Sequence, residues 1–129
     1  MRTLVLVVVS IVFLMAVGAV YAQDKPTVTQ PTEGAVLGPN YDIIGSMPHK
    51  AFLVLVTDVV RTDTNEVVRT VPGIRHWTND DGTFHFRAAS PRVSLGEKDL
   101  PLLYRVRICE STKDGNGPET LINTTMAQP

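Results

Sequence analysis

The chain has 129 residues, of which 43% are hydrophobic and 19% charged, with a formal net charge of -1 and a single cysteine. This length fits one domain, and the apolar content argues against a disordered chain. A net charge near zero argues against nucleic acid or an anionic membrane surface as a partner, because both attract concentrated Lys and Arg. One cysteine excludes an internal disulfide.

The N-terminal residues have the pattern of an export signal. Arg2 precedes an uncharged run over residues 4–22 (LVLVVVSIVFLMAVGAVYA), which includes Gly18 and ends with small residues at Val20 and Ala22. This order is typical of a cleaved secretory signal. We predict a signal peptide over residues 1–22 and a secreted or periplasmic domain over residues 23–129, with no membrane contact after cleavage. The alternative is an uncleaved N-terminal anchor, since such a run can just cross a hydrocarbon core of roughly 30 Å.

Residues 23–129 are predicted to form strands. All nine prolines lie in this part, and almost no window keeps helical spacing over three turns. Short segments rich in Val, Ile, Thr, Phe and Tyr alternate instead with turn residues. The predicted strands lie at 27–30, 41–46, 51–60, 66–71, 84–87, 102–109 and 119–125, and residues 74–78 are a bridging strand or an ordered loop.

Residues 51–60 and 102–109 indicate how these strands pack. The first segment (AFLVLVTDVV) is apolar on both alternating sets, so we predict a central strand with both faces covered. In the second (LLYRVRIC), apolar side chains alternate with Arg105 and Arg107, and Glu119 is a cross-strand acid within reach. A single sheet would leave one face of the central strand exposed to solvent. The sequence therefore predicts an all-β fold of two packed sheets with about seven strands.

The turn at residues 79–82 is the sharpest local signal. Asp81-Gly82 supplies the positive φ that a tight turn requires, and Phe84 and Phe86 then share one face of the next strand. His85 and Arg87 share its other face. We expect the face of that strand with Phe84 and Phe86 to be buried.

Several of these segments resemble a known family. Residues 100–108 (LPLLYRVRI) are similar to the sixth strand of fibronectin type III and related immunoglobulin-like domains, where a tyrosine, here Tyr104, bonds back to the preceding corner. Residues 31–36 (PTEGAV), Ile44-Gly45 and residues 81–84 (DGTF) resemble bacterial immunoglobulin-like modules of exported proteins, and the turn at 113–115 resembles the version found in spore-germination proteins. The resemblance spans residues 26–125. It implies a two-sheet immunoglobulin-like sandwich with a binding, spacer or adhesion role.

The side chains that could carry catalysis lack the required patterns. His49, His76 and His85 have no partner at i+2 or i+4, as zinc ligands often do, and no His follows Cys109, as a blue-copper site requires. Cys109 also lacks a Gly-rich elbow or a helix N-terminus that would activate its thiol. We predict no enzyme activity, no cofactor and no resident metal.

Asp80 and Asp81 lie side by side in the turn before Gly82. Adjacent turn side chains diverge, and Asp81 is typical of a residue that hydrogen-bonds within its own turn. The alternative is a loose Ca²⁺ site that uses oxygens of Asn79, Asp80 and Asp81, without the alternating spacing of a dedicated calcium loop.

Trp77 is the candidate binding residue. It could present its ring to a sugar or a peptide, with Arg75 and Asn79 as polar neighbours that orient the ligand. The interpretation favoured by the sequence alone is instead that the ring covers one end of the core.

These observations predict an exported, non-enzymatic immunoglobulin-like domain. It would bind an unidentified protein or polysaccharide of the cell envelope, through its loops or an exposed sheet edge. One alternative is a stand-alone carbohydrate-binding module with Trp77 as an aromatic platform. Another is a secreted protease inhibitor on the same fold, with residues 34–40 and 114–118 as inhibitory loops.

Overall fold

The structure, a computed structural model, describes residues 24–127. The predicted signal peptide over residues 1–22 lies outside the described residues. Apart from a 3-10 turn at Leu95–Glu97, the regular structure within them consists of strands. None of the helical structure found there is long and apolar enough to cross a membrane.

Within residues 24–127, nine strands form two sheets. The strands are β1 (Thr27–Gln30), β2 (Val36–Leu37), β3 (Asn40–Ser46), β4 (Phe52–Arg61), β5 (Val67–Trp77), β6 (Thr83–Ala89), β7 (Leu102–Thr112), β8 (Gly115–Asn116) and β9 (Thr120–Met126). Their order in the smaller sheet is β1-β3-β6, and in the larger sheet β2-β9-β7-β4-β5, with β8 paired to β7. All pairings are antiparallel except that of β2 with β9. The prediction of an all-β fold with two sheets is confirmed.

The core lies between the two sheets and follows the alternation of the strands. On β7, Val106 and Ile108 are fully buried, whereas Arg105 and Arg107 lie on the outer face, as the sequence predicts. The smaller sheet contributes Ile43 and Phe84 to the same cluster. Each such side chain contributes about 1.5–3 kcal/mol to the free energy of unfolding through removal of apolar surface from water. Burial of alternate residues therefore fixes the register of both sheets.

Strand β4 is central, as predicted, because it pairs with β5 on one side and β7 on the other. Its inward residues, such as Leu53 and Leu55, are buried. The outer face is less covered than the sequence suggests, since Phe52, Val54 and Val56 are only half-buried. The upper half of this outer face is therefore partly exposed.

Strand β5 corrects the prediction for residues 66–78. The sequence predicts a strand that ends before Pro72-Gly73 and a separate segment afterwards, but one strand runs from Val67 to Trp77. A bulge absorbs the interruption: Val54 pairs with Arg75, whereas Val56 pairs with Pro72. Pro72 lies in an edge strand, where its missing N–H costs no ladder hydrogen bond.

The bulge reverses which residues of β5 face the core. Arg69 pairs with inward-facing Val59, and Trp77 pairs with outward-facing Phe52, although even spacing would place both on one face of a regular strand. Gly73 permits the close approach, since a Cβ there would lie 2.6 Å from Cδ2 of Leu55. The bulge thus directs Trp77 away from the core.

The two ends of the sandwich hold different sets of turns. The upper end holds the turns at residues 47–51, 78–82 and 113–119, and the lower end holds those at 62–66 and 90–101. At the upper end, Gly82 has φ +89, and a Cβ there would lie 2.0 Å from the carbonyl oxygen of Met47. The predicted Asp81-Gly82 turn is present, and only glycine fits its last position.

Candidate functional site

Trp77 is exposed. Its relative accessibility is 54%, and it lies at the upper end of β5 on the outer face of the larger sheet. The interpretation that its ring covers the end of the core is wrong, because the bulge in β5 turns the side chain to the opposite face. An exposed tryptophan is a large apolar surface with a polar N–H, which suits it to contact a ligand.

Three neighbours support and flank the Trp77 ring. The Phe52 ring packs edge-on, with centroids 5.5 Å apart and an interplanar angle of 65°. The ammonium of Lys50 lies 5.6 Å from the centroid of the Trp77 ring, and the guanidinium of Arg75 lies 5.8 Å from that of Phe52. We call Lys50, Phe52, Arg75 and Trp77 the Trp77 platform. It combines a fixed aromatic surface with two cations.

The other residues predicted around Trp77 have turn-forming roles. The Asn79 main chain bonds to Thr83 (2.9 Å), and its side-chain amide donates to the Thr83 hydroxyl (3.0 Å). Asp81 Oδ1 accepts from the Thr83 N–H (3.0 Å) and hydroxyl (2.6 Å), and these bonds lower the pKa of the Asp81 carboxyl. Asp80 is exposed and pairs with Lys50 at 3.2 Å. Asn79 therefore shapes the turn that follows Trp77, and Asp80 forms an exposed ion pair with Lys50.

Asp80 and Asp81 are engaged separately, Asp80 by Lys50 and Asp81 by Thr83. Residues 24–127 contain no cluster of three His, Cys, Asp or Glu side chains that could hold a metal ion. Each histidine has its own partner: His49 bonds to Glu110 (3.0 Å), His85 lies 3.2 Å from Asp42, and His76 Nδ1 lies 2.8 Å from the Trp77 carbonyl oxygen.

An ion-pair network occupies the middle of the outer face. Asp58, 5% exposed, accepts from the Thr70 hydroxyl (2.6 Å) and from Nη2 of Arg107 (3.1 Å). Nη1 of Arg107 donates to Glu119 at 2.9 Å, which confirms the predicted cross-strand acid. The sequence did not indicate a role for Asp58, because its partners Thr70 and Arg107 lie on other strands. The network ties β5, β4, β7 and the residue before β9 together.

A second ion pair lies at the lower end. Glu97 in the turn at Leu95–Glu97 accepts two bonds from Arg69 of β5, Nε to Oε2 at 2.9 Å and Nη2 to Oε1 at 3.0 Å. Its Oε1 also accepts from the N–H of Ser94 (3.0 Å). The bonds from Arg69 are the main cause that lowers the pKa of Glu97 to about 2. This pair fastens the loop at residues 90–101 to the sandwich.

A concavity of about 940 Å³ lies beside this loop at the lower end, away from Trp77. Glu97 and Tyr104 belong to its wall. Tyr104 is buried there, and among the described residues its hydroxyl forms no hydrogen bond to the preceding corner, in contrast to what the family resemblance implies. Within this wall, the Glu97 carboxylate is engaged by Arg69.

The thiol of Cys109 lies on the outer face of β7 but is buried. Burial raises its pKa, which favours the less reactive protonated thiol. The loops considered for protease inhibition lie apart, at 34–40 near the lower end and at 114–118 near the upper end, so they do not form one surface.

The structure places Arg75 and Trp77 beside Lys50 and Phe52 on the outer face, and the third predicted contact, Asn79, lines one concavity together with Trp77. Phe52 belongs to the outward set of residues 51–60, which the alternation already defined. Lys50 carried no signal in the sequence, because its position beside Trp77 depends on the turn at 47–51. No family model matches the chain, and no curated protein or solved structure matches it either.

Proposed function

We propose that this chain is an exported, non-enzymatic binding domain of the immunoglobulin-like type, which acts at the cell envelope or outside the cell. The observation that carries the proposal is the Trp77 platform: an aromatic surface, 54% exposed, supported by Phe52 and flanked by two cations. Aromatic and arginine side chains dominate binding energy at interfaces, because they bury much area with few lost rotamers.

The strand order supports the proposed fold type. In immunoglobulin-like domains, strands A, B and E belong to one sheet and C, F and G to the other. β1, β3 and β6 correspond to the first set, and β4, β7 and β9 to the second. Strand β5 then extends the second sheet in the manner of the variable type, and its upper end carries Trp77 and Arg75.

A carbohydrate-binding module is the second candidate function, and the exposure of Trp77 favours it. Sugars stack their apolar faces on aromatic rings, and nearby polar groups orient the hydroxyls. Lys50 and Arg75 are such groups. The protein partner remains our first proposal, since two packed rings flanked by two cations offer a patch and not a deep sugar-binding cleft.

The test is retention of the protein comprising residues 23–129 on separated envelope fractions, one of protein and one of insoluble polysaccharide. One of these fractions should retain the wild type, and Trp77→Ala should lower retention on that fraction by about tenfold or more. Val36→Ala is the matched control, since Val36 is also an exposed apolar side chain, on β2. Retention by polysaccharide alone would select the carbohydrate module. Absence of retention by both fractions, or equal retention by Trp77→Ala, contradicts the proposal.

A further inference from the structure

The edges of the two sheets differ in how they are protected against pairing with another strand. β1 is four residues long, contains a register shift between Val28 and Gln30, and is followed by Pro31. β2 has two residues, and β5 carries two register shifts and Pro72. Short strands, bulges and prolines are devices that prevent edge-to-edge association.

Strand β6 has none of these devices. It pairs with β3 over seven consecutive residues without a register shift and contains no proline. Within residues 24–127, no strand pairs with its other side. In an immunoglobulin-like sheet of the constant type, strand D occupies that position beside strand E. The smaller sheet thus ends at a regular strand that is able to accept a further one.

The main-chain groups on the free side of β6 can be identified from the ladder. Met47 donates to the carbonyl of Gly82 (2.8 Å), and Ser90 donates to that of Pro39 (2.9 Å). In an antiparallel pair, successive residues direct their N–H and C=O groups alternately towards the partner strand and away from it. The even-numbered residues of β6, like Gly82 and Ser90, therefore direct these groups towards β3. His85, Arg87 and Ala89 therefore direct their N–H and C=O groups away from it. We call these three residues the β6 edge.

A groove of about 590 Å³ runs beside the β6 edge, between it and the upper half of β5. Its apolar wall includes Ile74 and the stacked pair Phe84 and Phe86, whose ring centroids lie 5.4 Å apart. Trp77 lies at its rim. Every second side chain of a strand added to β6 would point into this groove.

The remaining side chains of an added strand would lie beside His85 and Arg87. Both side chains are mostly exposed and share a single carboxylate, Asp42, at 3.2 and 3.6 Å respectively. The Arg87 guanidinium and the His85 ring together carry more N–H donors than the single Asp42 carboxylate accepts, so this row has an excess of hydrogen-bond donors. Acidic side chains directly opposite would complement it.

We propose that the β6 edge binds an extended segment of a partner protein by strand addition, and that this segment alternates apolar with acidic residues. The apolar residues fill the groove between β5 and β6, and the acidic residues pair with Arg87 and His85 on the outer side. Main-chain bonds to the β6 edge supply affinity that does not depend on sequence. This inference rests on the proposed binding function and defines the chemistry of its partner.

The test uses a labelled peptide of about six residues, a common strand length, that alternates valine and glutamate. Fluorescence anisotropy should show binding to the wild type, and a peptide with lysine in place of glutamate should bind at least about tenfold more weakly. Arg87→Glu should weaken binding of the glutamate peptide by a similar factor. His85→Pro, which removes an outward N–H, should bind about fivefold more weakly than His85→Thr, which keeps it.

Hydrogen exchange provides the readout that charge attraction alone would not change. The amides of His85 and Arg87 should exchange more slowly with the glutamate peptide bound, whereas those of Phe84 and Phe86 are already protected by β3. Circular dichroism establishes that each variant is folded. Binding without this protection, equal binding of the lysine peptide, or pairing of two β6 edges in a dimer seen by sedimentation would overturn the inference.

The two proposals can fail separately. If the peptide does not bind while retention on envelope fractions still depends on Trp77, strand addition is wrong and the binding function stands. If retention is absent as well, both are wrong.

Discussion

The lower and upper halves of β5 carry polar side chains in opposite environments. In the lower half, Arg69 makes two bonds to Glu97, whose side chain is 6% exposed. In the upper half, Arg75 and Trp77 lie on an exposed surface, and Arg75 makes no ion pair within residues 24–127. A charged residue in this strand is thus structural where a buried carboxylate meets it and available for binding where none does.

The largest effect that would test this comparison is expected at Glu97. Glu97→Gln should lower the free energy of unfolding by about 2–3 kcal/mol, because Arg69 loses its charged partner in a site that is partly closed to water. Chemical denaturation measures the change. Asp99→Asn, at an exposed carboxyl of the same loop, is the matched control and should change stability by less than about 0.5 kcal/mol. If Glu97→Gln also changed the free energy of unfolding by so little, the ion pair in the lower half of β5 would not contribute to stability.

A smaller effect is expected from pH. The pKa of Glu97 is about 2 in the folded protein, against 4.5 ordinarily, so the folded state binds this proton less readily than the unfolded state. Its contribution is therefore complete above pH 4.5 and is lost as the pH falls towards 2. We expect about 1–2 kcal/mol, reduced by solvent screening at the partly exposed Arg69. The stability difference between wild type and Glu97→Gln should shrink over this range, and a constant difference would contradict the assignment.

The smallest effect on stability is expected at Trp77. Trp77→Ala should lower the free energy of unfolding by less than about 1 kcal/mol, since more than half of the side chain is already in water. Val59→Ala, on the buried face of β4, is the contrasting variant and should cost about 1–3 kcal/mol. Thermal unfolding compares the two. A loss at Trp77 as large as at Val59 would assign the ring to the fold and remove the basis for the platform.

The sequence was sufficient for much of the fold because the signals are local. Alternation in residues 102–109 sets the inward and outward faces of β7, and Asp81-Gly82 specifies its own turn. The two-residue strands β2 and β8 were missed, since two residues are too few to show alternation.

The candidate site was less predictable from the sequence, because it depends on residues far apart in the chain and on one bulge. Arg69 and Glu97 are 28 positions apart, and nothing in either segment indicates that they meet. The sequence indicates Trp77 as a candidate binding residue, but the direction of its side chain follows from the extra residue near Pro72-Gly73. The sequence predicts that a strand ends at this point. Alternation predicts which side chains face the core only as far as the first bulge, and the sequence does not reveal this bulge.

The bulge in β5 also decides which residues of the strand's upper half are buried. If the same residues paired with β4 without the bulge, even alternation would turn Trp77 towards the smaller sheet and Ile74 towards solvent. Most substitutions in this strand alter one contact, whereas that slip of one position would exchange the buried and exposed sets of its entire upper half. The proposed binding surface is thus encoded as much by the register of β5 against β4 as by the identity of its residues.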